Sequence, residues 1–194
     1  GTAAAVAGAF PDVTLIALDA NAGVGARNRG LERARGDIVV TLDDDMVEFG
    51  DRDLAVLREL FADTPRLGAV CFKVTWPGTD RVRDWVHRRP ASAADTRFPT
   101  YEITEGAVAW RRQALQDVGL YREDFFISHE GLDLALRLLE GGWEIVHDGR
   151  VQVGHAHAAG GRKSWRRYYY DTRNLFWIAV LDLPPRDAGP YLAR

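Results

Sequence analysis

Two short stretches hold residue types that could do chemistry together. Residues 21–30 read NAGVGARNRG, and residues 39–46 read VVTLDDDM. The first places Asn21, Gly23, Gly25, Arg27 and Asn28 in a turn that opens a helical pattern. Glycines there let a backbone come close to a ligand, and a helix N-terminus favours an anion. Arg27 adds a planar positive fork. The second stretch ends an apolar run in Asp43, Asp44 and Asp45. Carboxylates at i and i+2 of a turn can face one hard cation, such as Mg2+ or Mn2+. A phosphate-bearing ligand with a metal would use both stretches. The plain alternative is a glycine-rich turn with solvent-facing arginines beside a solvated acidic turn.

The surrounding pattern gives these residues a common place. VTLIAL (13–18) reads as a buried strand, residues 23–35 as a helix stopped at Gly36, and DIVVTL (37–42) as a second buried strand. Strand, helix and strand at this spacing make a βαβ unit with parallel strands. Ligands of such sheets gather beyond the carboxyl ends of the strands, so the glycine turn and the acids share one rim. Asp51 starts a helix running to about Ala62, ended by Pro65, and residues 67–76 form a third strand. Residues 77–99 hold three prolines, many charges and little periodicity, a long loop of the kind that often carries function. YEITEGAVAWRR reads as a bent strand, Gln113–Val118 as a short helix, and GLDLALRLLEGG as an amphipathic helix closed by glycines. WEIVHDGRVQVGHAH reads as two short strands around an Asp-Gly turn, and Arg162 to Val180 as a basic, aromatic helix.

Composition excludes several classes. The chain has 194 residues and a globular mixture of 46% hydrophobic and 27% charged residues, which suits one domain. A net charge of -3 gives no general affinity for nucleic acid. Cys71 is the single cysteine, so neither an internal disulfide nor a cysteine metal cage can form. That favours a reducing, cytoplasmic setting. The late apolar run LFWIAVL is far shorter than the roughly 20 residues that cross a bilayer.

The two stretches together, NAGVGARNRGL followed by ARGDIVVTLDDD, resemble the nucleotide-sugar-binding half of family 2 glycosyltransferases, which have the GT-A fold. EGAVAWRRQALQDVGLY resembles the acceptor-side strand and helix of that family, and FFISHEGLDLALRLLEGGW its acidic motif, usually Glu-Asp-x-Asp-Leu. VGH and YYYDTRNLFW resemble its C-terminal elements, most like the bacterial rhamnosyltransferase branch. The resemblance implies a three-layer α/β/α domain with a mostly parallel sheet. Residues 1–76 would form the donor-binding half, 77–161 the acceptor-side half and 162–194 a helical extension.

By the same resemblance the chain is an inverting, hexosyl-type transferase. It would use a UDP-, dTDP- or GDP-linked donor and a glycan, lipid-linked or small-molecule acceptor, in cell-surface polysaccharide or glycoconjugate synthesis. Asn21, Gly23, Gly25, Arg27, Asn28, Asp43, Asp44 and Arg173 would serve the donor, and Gly106 and Trp110 the acceptor side. Asp45, with Asp43 and His155, would hold Mg2+ or Mn2+. Glu130 is the base candidate, since the preceding FFIS is apolar and would raise a carboxyl pKa. Asp133 is the second catalytic candidate, with a role in holding an arginine or backbone as the alternative. Each residue also has a structural alternative. Glu130 suits a helix N-terminus, His155 and His157 suit strand ends, and Arg173 and Asn174 suit a solvated face. The basic and aromatic segment 161–177 reads as packed, with arginine stems over rings. Peripheral contact with the inner face of a membrane is the rival.

Two departures stand out. The sequence begins inside the family's early nucleobase-reading motif, so the first strands are expected to be missing, with roughly 40 residues upstream in a longer protein or self-association to fill the gap. The family's second acid is Gly131 here. Both departures support a degenerate, non-catalytic binding module as a rival. A haloacid-dehalogenase-type phosphatase is another, since it also carries Asp-x-Asp after a buried strand.

Overall fold

The computed structural model describes residues 2–156 and 165–193. His157 and the start of the basic segment, residues 161–164, lie outside the described residues. After helix α1 (Thr2–Ala9), residues 13–18 form neither strand nor helix. Val13, Leu15 and Leu18 are 59%, 43% and 42% exposed. The expected strand at 13–18 is therefore not formed. An apolar run becomes a strand only when its backbone groups find a ladder partner, and no described strand lies alongside it.

The next elements fall close to their expected places. They are α2 (Gly25–Arg33), β1 (Ile38–Leu42), the short β2 (Met46–Val47), α3 (Asp51–Asp63) and β3 (Leu67–Thr75). Asp53, not Asp51, supplies the cap of α3, its carboxylate accepting the Gly50 N–H at 3.0 Å. The loop after β3 contains a short 3-10 turn at Ala91–Ala93 and ends in β4 (Arg97–Pro99). Then come β5 (Ala107–Arg111), α4 (Arg112–Val118), a 3-10 turn at Glu123–Phe125, α5 (Glu130–Glu140), β6 (Glu144–His155), α6 (Trp165–Leu181) and α7 (Pro185–Leu192).

The sheet runs in the order β1-β5-β3-β6-β2, with β4 also on β6. Its direction is mixed rather than mostly parallel. β3 and β6 pair in parallel, and β5 lies antiparallel to both β1 and β3. β1, β3 and β6 therefore run the same way, and the reversed β5 separates the first two. Glu144–His155 is one long strand, β6, and not a hairpin. Its pairing jumps from Phe72↔Asp148 to Lys73↔Gln152, so the Asp-Gly step is a bulge. A Cβ on Gly149 would lie 2.1 Å from the Ala94 carbonyl oxygen, so this bulge presses on neighbouring backbone.

Period-two alternation sorts the core into two layers. Cys71, Val108 and Trp110 face one side, under α2, α4 and α5. Val70, Phe72, Ala107 and Ala109 face the other, under Leu57, Leu60 and Phe61 of α3. Helices thus cover both faces of the sheet, the three-layer arrangement expected. On α6, Arg173 stacks over Trp177 at 4.1 Å, as in the packed reading, while Trp165, Tyr169, Phe176 and Val180 stay exposed. No helix among the described residues is long and apolar enough to cross a membrane.

Candidate active site

The rim follows from strand register. Leu42 pairs with Ala107, so the residues after β1 and before β5 meet at one end of the sheet. The Asp43 N–H donates to the Gly106 carbonyl at 3.1 Å. Gly106 has φ +73°, and a Cβ there would lie 2.3 Å from the Asp43 carboxylate, so both backbone and space demand glycine. Arg27 of α2 bridges two acids: Nη1 donates to Glu105 at 3.0 Å, and Nη2 pairs with Asp43. The Tyr121 hydroxyl donates to the same Glu105 oxygen, Oε2, at 3.3 Å. Glu105 Oε1 has no hydrogen-bond partner. The Glu105 side chain is 29% exposed, yet protein closes around its carboxylate. Burial, with the charge of Glu130 second, pushes that carboxyl up to about 8 against the pull of Arg27.

The metal candidates meet beside this group. Met46 of β2 pairs with His155 at the end of β6. That pairing brings Asp45 Oδ2 within 3.1 Å of His155 Nε2. Two cis ligands of an octahedral cation at about 2.1 Å sit about 3 Å apart, so this spacing fits one divalent ion. On its other side His155 Nδ1 lies 2.6 Å from Asp84 Oδ2. Arg83 donates from Nε to Asp84 at 2.9 Å and from Nη1 to the His155 carbonyl at 2.8 Å. A carboxylate behind a ligating histidine fixes which ring nitrogen faces the metal. Among the described residues no group of three or more His, Cys, Asp or Glu is arranged as a full cage. A two-ligand site suits a cation that takes its remaining ligands from substrate phosphates and water. Asp44 is exposed in the turn between Asp43 and Asp45.

The acidic motif divides. Phe126, Ser128 and His129 all have positive φ, so the segment ahead of α5 is strained. Asn174 of α6 holds it, with Nδ2 2.9 Å from the Phe125 and Ile127 carbonyls and 2.6 Å from that of Ser128. Glu130 then begins α5, nearly buried, and burial raises its carboxyl pKa against its own backbone N–H, Arg27 and His129. Asp133 is fully buried elsewhere. Arg137 donates to it at 2.6 and 3.0 Å, and Arg122 lies 3.0 Å away. The alternative given for Asp133, holding an arginine, is the one its surroundings match.

Several donor-side candidates have structural partners. The Val24 N–H donates to the Phe126 carbonyl at 2.7 Å, and a Cβ on Gly23 would fall 2.2 Å from that oxygen. Gly23 thus admits the strained segment, with Asn21 accepting its N–H at 2.9 Å. A Cβ on Gly25 would meet Glu123 at 3.1 Å. The first N–H groups of α2 already have protein acceptors, which leaves no anion cradle there. Asn28 exchanges hydrogen bonds with the Tyr121 backbone at 2.9 and 3.2 Å. Arg173 binds the carbonyls of Asp124 and Phe125. Trp110 is fully buried, its indole donating to Thr41 at 3.1 Å, so it offers no acceptor surface.

Two adjoining cavities open at the rim. One of about 230 Å³ is lined by Asp43, Asp84, Thr104, Glu105 and His155. The other, about 400 Å³, is lined by Arg88, Tyr101, Glu105, His129, Gly131 and Tyr191. Glu105 lines both. A larger apolar void of about 570 Å³ under Phe176 and Val180 contains none of these residues. Glu105, Asp84 and Tyr121 escaped the sequence reading. Glu105 directly precedes Gly106 in the stretch that resembles the acceptor-side strand, and Asp84 lies in the long loop 77–99.

A helix-covered sheet with a carboxylate and histidine pair at its rim, beside two joined cavities, is the layout of a nucleotide-sugar transferase. The chain belongs to glycosyl transferase family 2, whose family model matches residues 1–121. Membership removes the phosphatase alternative. Among solved structures the chain is similar to the mannosyltransferase PcManGT from Pyrobaculum calidifontis, in complex with GDP-Man and Mn2+. The two share 26% identity over 96% of this chain and 54% of that one, with a TM-score of 0.64. It shares its fold with S. aureus TarS 1-349 (16% identity, TM-score 0.59, 91% and 51% covered). GalNAc-T7 with UDP, GalNAc and Mn2+ also has this fold (15% identity, TM-score 0.58, 86% and 39% covered). The chain spans about half the length of these proteins or less. No curated protein matches it.

Proposed function

We propose that this domain moves a hexosyl group from a nucleoside diphosphate sugar to an acceptor hydroxyl, with inversion at the anomeric carbon. The observation that carries this reading is the adjoining pair of cavities, with His155, 3.1 Å from Asp45, lining one and Glu105 lining both. The smaller cavity takes the diphosphate side of the donor and the larger takes the acceptor. Asp45 and His155 would hold Mg2+ or Mn2+, which supplies charge neutralisation for the leaving diphosphate. Asp43 lies beside them for the ribose, oriented by Arg27. A carboxylate lining the crevice takes the acceptor proton, and a base on the acceptor side suits single displacement. The Mn2+-bound mannosyl and N-acetylgalactosaminyl neighbours support a divalent cation and a nucleotide-sugar donor. Synthesis of a surface glycan or glycoconjugate in the cytoplasm fits this chemistry.

The test is thermal stabilisation by a panel of UDP-, GDP- and dTDP-sugars, with Mn2+ and with EDTA. Stabilisation by at least one donor in Mn2+, lost in EDTA and in Asp45→Ala, is expected. Equal binding in EDTA would remove the cation from the reading, and no binding by any donor would leave a non-catalytic module.

A further inference from the structure

We propose that Glu105 is the catalytic base of this domain, acting on the acceptor hydroxyl at the seam between the two cavities. The assignment rests on the transferase reading above. Four observations carry it. Glu105 lines both cavities, whereas Glu130 lines neither. It is therefore the acid that an acceptor in the larger cavity and a donor in the smaller one would both meet. Its position is fixed by Arg27 and Tyr121, which both bind Oε2. A base held in place by its neighbours loses no time or entropy finding the reacting geometry. Its other oxygen, Oε1, is enclosed against Gly131 and has no hydrogen-bond partner, so one acceptor position of the carboxylate is left unsatisfied at the seam. Finally, the wall opposite is Gly131. A Cβ built on Gly131 would lie 1.8 Å from Glu105 Oε1, so the carboxylate occupies space that only glycine leaves open. Burial also raises the Glu105 carboxyl to about 8, near the range in which a general base works best.

The step balances simply. The acceptor oxygen forms its bond to the anomeric carbon as the bond from that carbon to the diphosphate oxygen breaks. The electron pair leaves with the nucleoside diphosphate. The hydroxyl proton passes to the Glu105 carboxylate and then to solvent. Arg27, shared with Asp43, keeps the base oriented without being consumed.

The same point in space can be reached from position 131, and this gives the test. Four variants of the protein are compared with wild type: Glu105→Gln, Glu130→Gln, Gly131→Asp and the double variant Glu105→Ala with Gly131→Asp. Donor binding is read by thermal shift in Mn2+, and turnover by release of nucleoside diphosphate from GDP-mannose and UDP-GalNAc. Glu105→Gln should lower turnover roughly a hundred-fold or more and leave donor affinity within a few-fold. Glu130→Gln should keep most of the turnover. Gly131→Asp alone should lower the melting temperature, because its side chain collides with Glu105. The double variant should melt higher than Gly131→Asp and recover at least ten-fold of the turnover lost in Glu105→Gln, since a carboxylate is restored to the seam. Turnover retained in Glu105→Gln, or lost only in Glu130→Gln, would overturn the assignment. Loss of donor binding in step with turnover would do the same, making Glu105 a binding residue. If wild type neither binds nor cleaves any donor, the transferase reading itself falls and the assignment goes with it.

Discussion

Replacing Gly23 by alanine separates two accounts of the NAGVGARNRG turn. If the glycine exists to let a phosphate approach, the variant should fold normally and bind donor poorly. The geometry points to a different cost. Gly23 has φ +55°, where a side chain is strained by about 1–2 kcal/mol. Its Cβ would lie 2.2 Å from the Phe126 carbonyl oxygen and 2.8 Å from the carbonyl carbon. Normal contact needs the two backbones to part by about 1 Å, which removes the 2.7 Å hydrogen bond from the Val24 N–H to that oxygen. Leaving that donor without a partner costs about 1–3 kcal/mol. A small gain from the stiffer unfolded chain, about 0.4–1 kcal/mol, runs the other way. The sum is a loss of about 1–5 kcal/mol, set against the roughly 5–15 kcal/mol that holds a typical domain together. For a chain of this size it is a fall in Tm of about 2–20 °C. Urea denaturation followed by circular dichroism measures it directly. Gly30→Ala is the internal control. It lies in α2 with nothing within 4 Å of its Cβ position, and should stabilise by about 0.5–1 kcal/mol. Wild-type stability in Gly23→Ala combined with weaker donor binding, or equal damage from Gly30→Ala, would refute the packing account.

The remaining predictions concern three other groups. Asp84→Ala should weaken Mn2+ binding about 10–100-fold by freeing the His155 ring, read by electron paramagnetic resonance titration without any turnover assay. Asp133→Asn should cost about 1–3 kcal/mol, because Arg137 loses a fully buried charged partner whereas Arg122 keeps Asp182 at 3.4 Å, while Mn2+ affinity stays at the wild-type value. His87 is buried against His147, and burial first, then His147, lowers its pKa to about 4. Because the unfolded chain binds the proton near pH 6.5 and the folded one does not, this group's stabilisation is complete above pH 6.5 and lost as pH falls towards 4. The stability difference between wild type and His87→Phe should therefore shift by about 2–3 kcal/mol against wild type between pH 7 and pH 4.5, measured by urea denaturation; a constant difference would refute it.

Periodicity and turn chemistry along the chain determine β1, α3, β3, α4 and α5 almost to the residue. These elements carry their own apolar alternation and their own stops, such as Pro65 and Gly119. The same local signals place Asp43 to Asp45 at a rim, since acids that follow a strand must emerge beyond its end, although β1 is a half-buried edge strand rather than the buried one expected. The order of the motifs also reveals the family, to which the match over residues 1–121 assigns the chain. Tertiary structure decides what no local pattern contains. VTLIAL has the composition of a strand, but a strand needs a neighbour, and that run stays exposed. The sheet's mixed direction depends on β5 inserting between β1 and β3, a pairing that sets Thr41 opposite Val108, 67 residues away. Gly23 has the look of a phosphate residue and is a packing residue, because its partner, Phe126, arrives from about a hundred positions away. Asp84 and Glu105 gain meaning only from His155 and Gly131, which lie far off in sequence and within touching distance in space. Helix and strand propensities act over a few residues, whereas a site is assembled from contacts whose partners the chain does not announce.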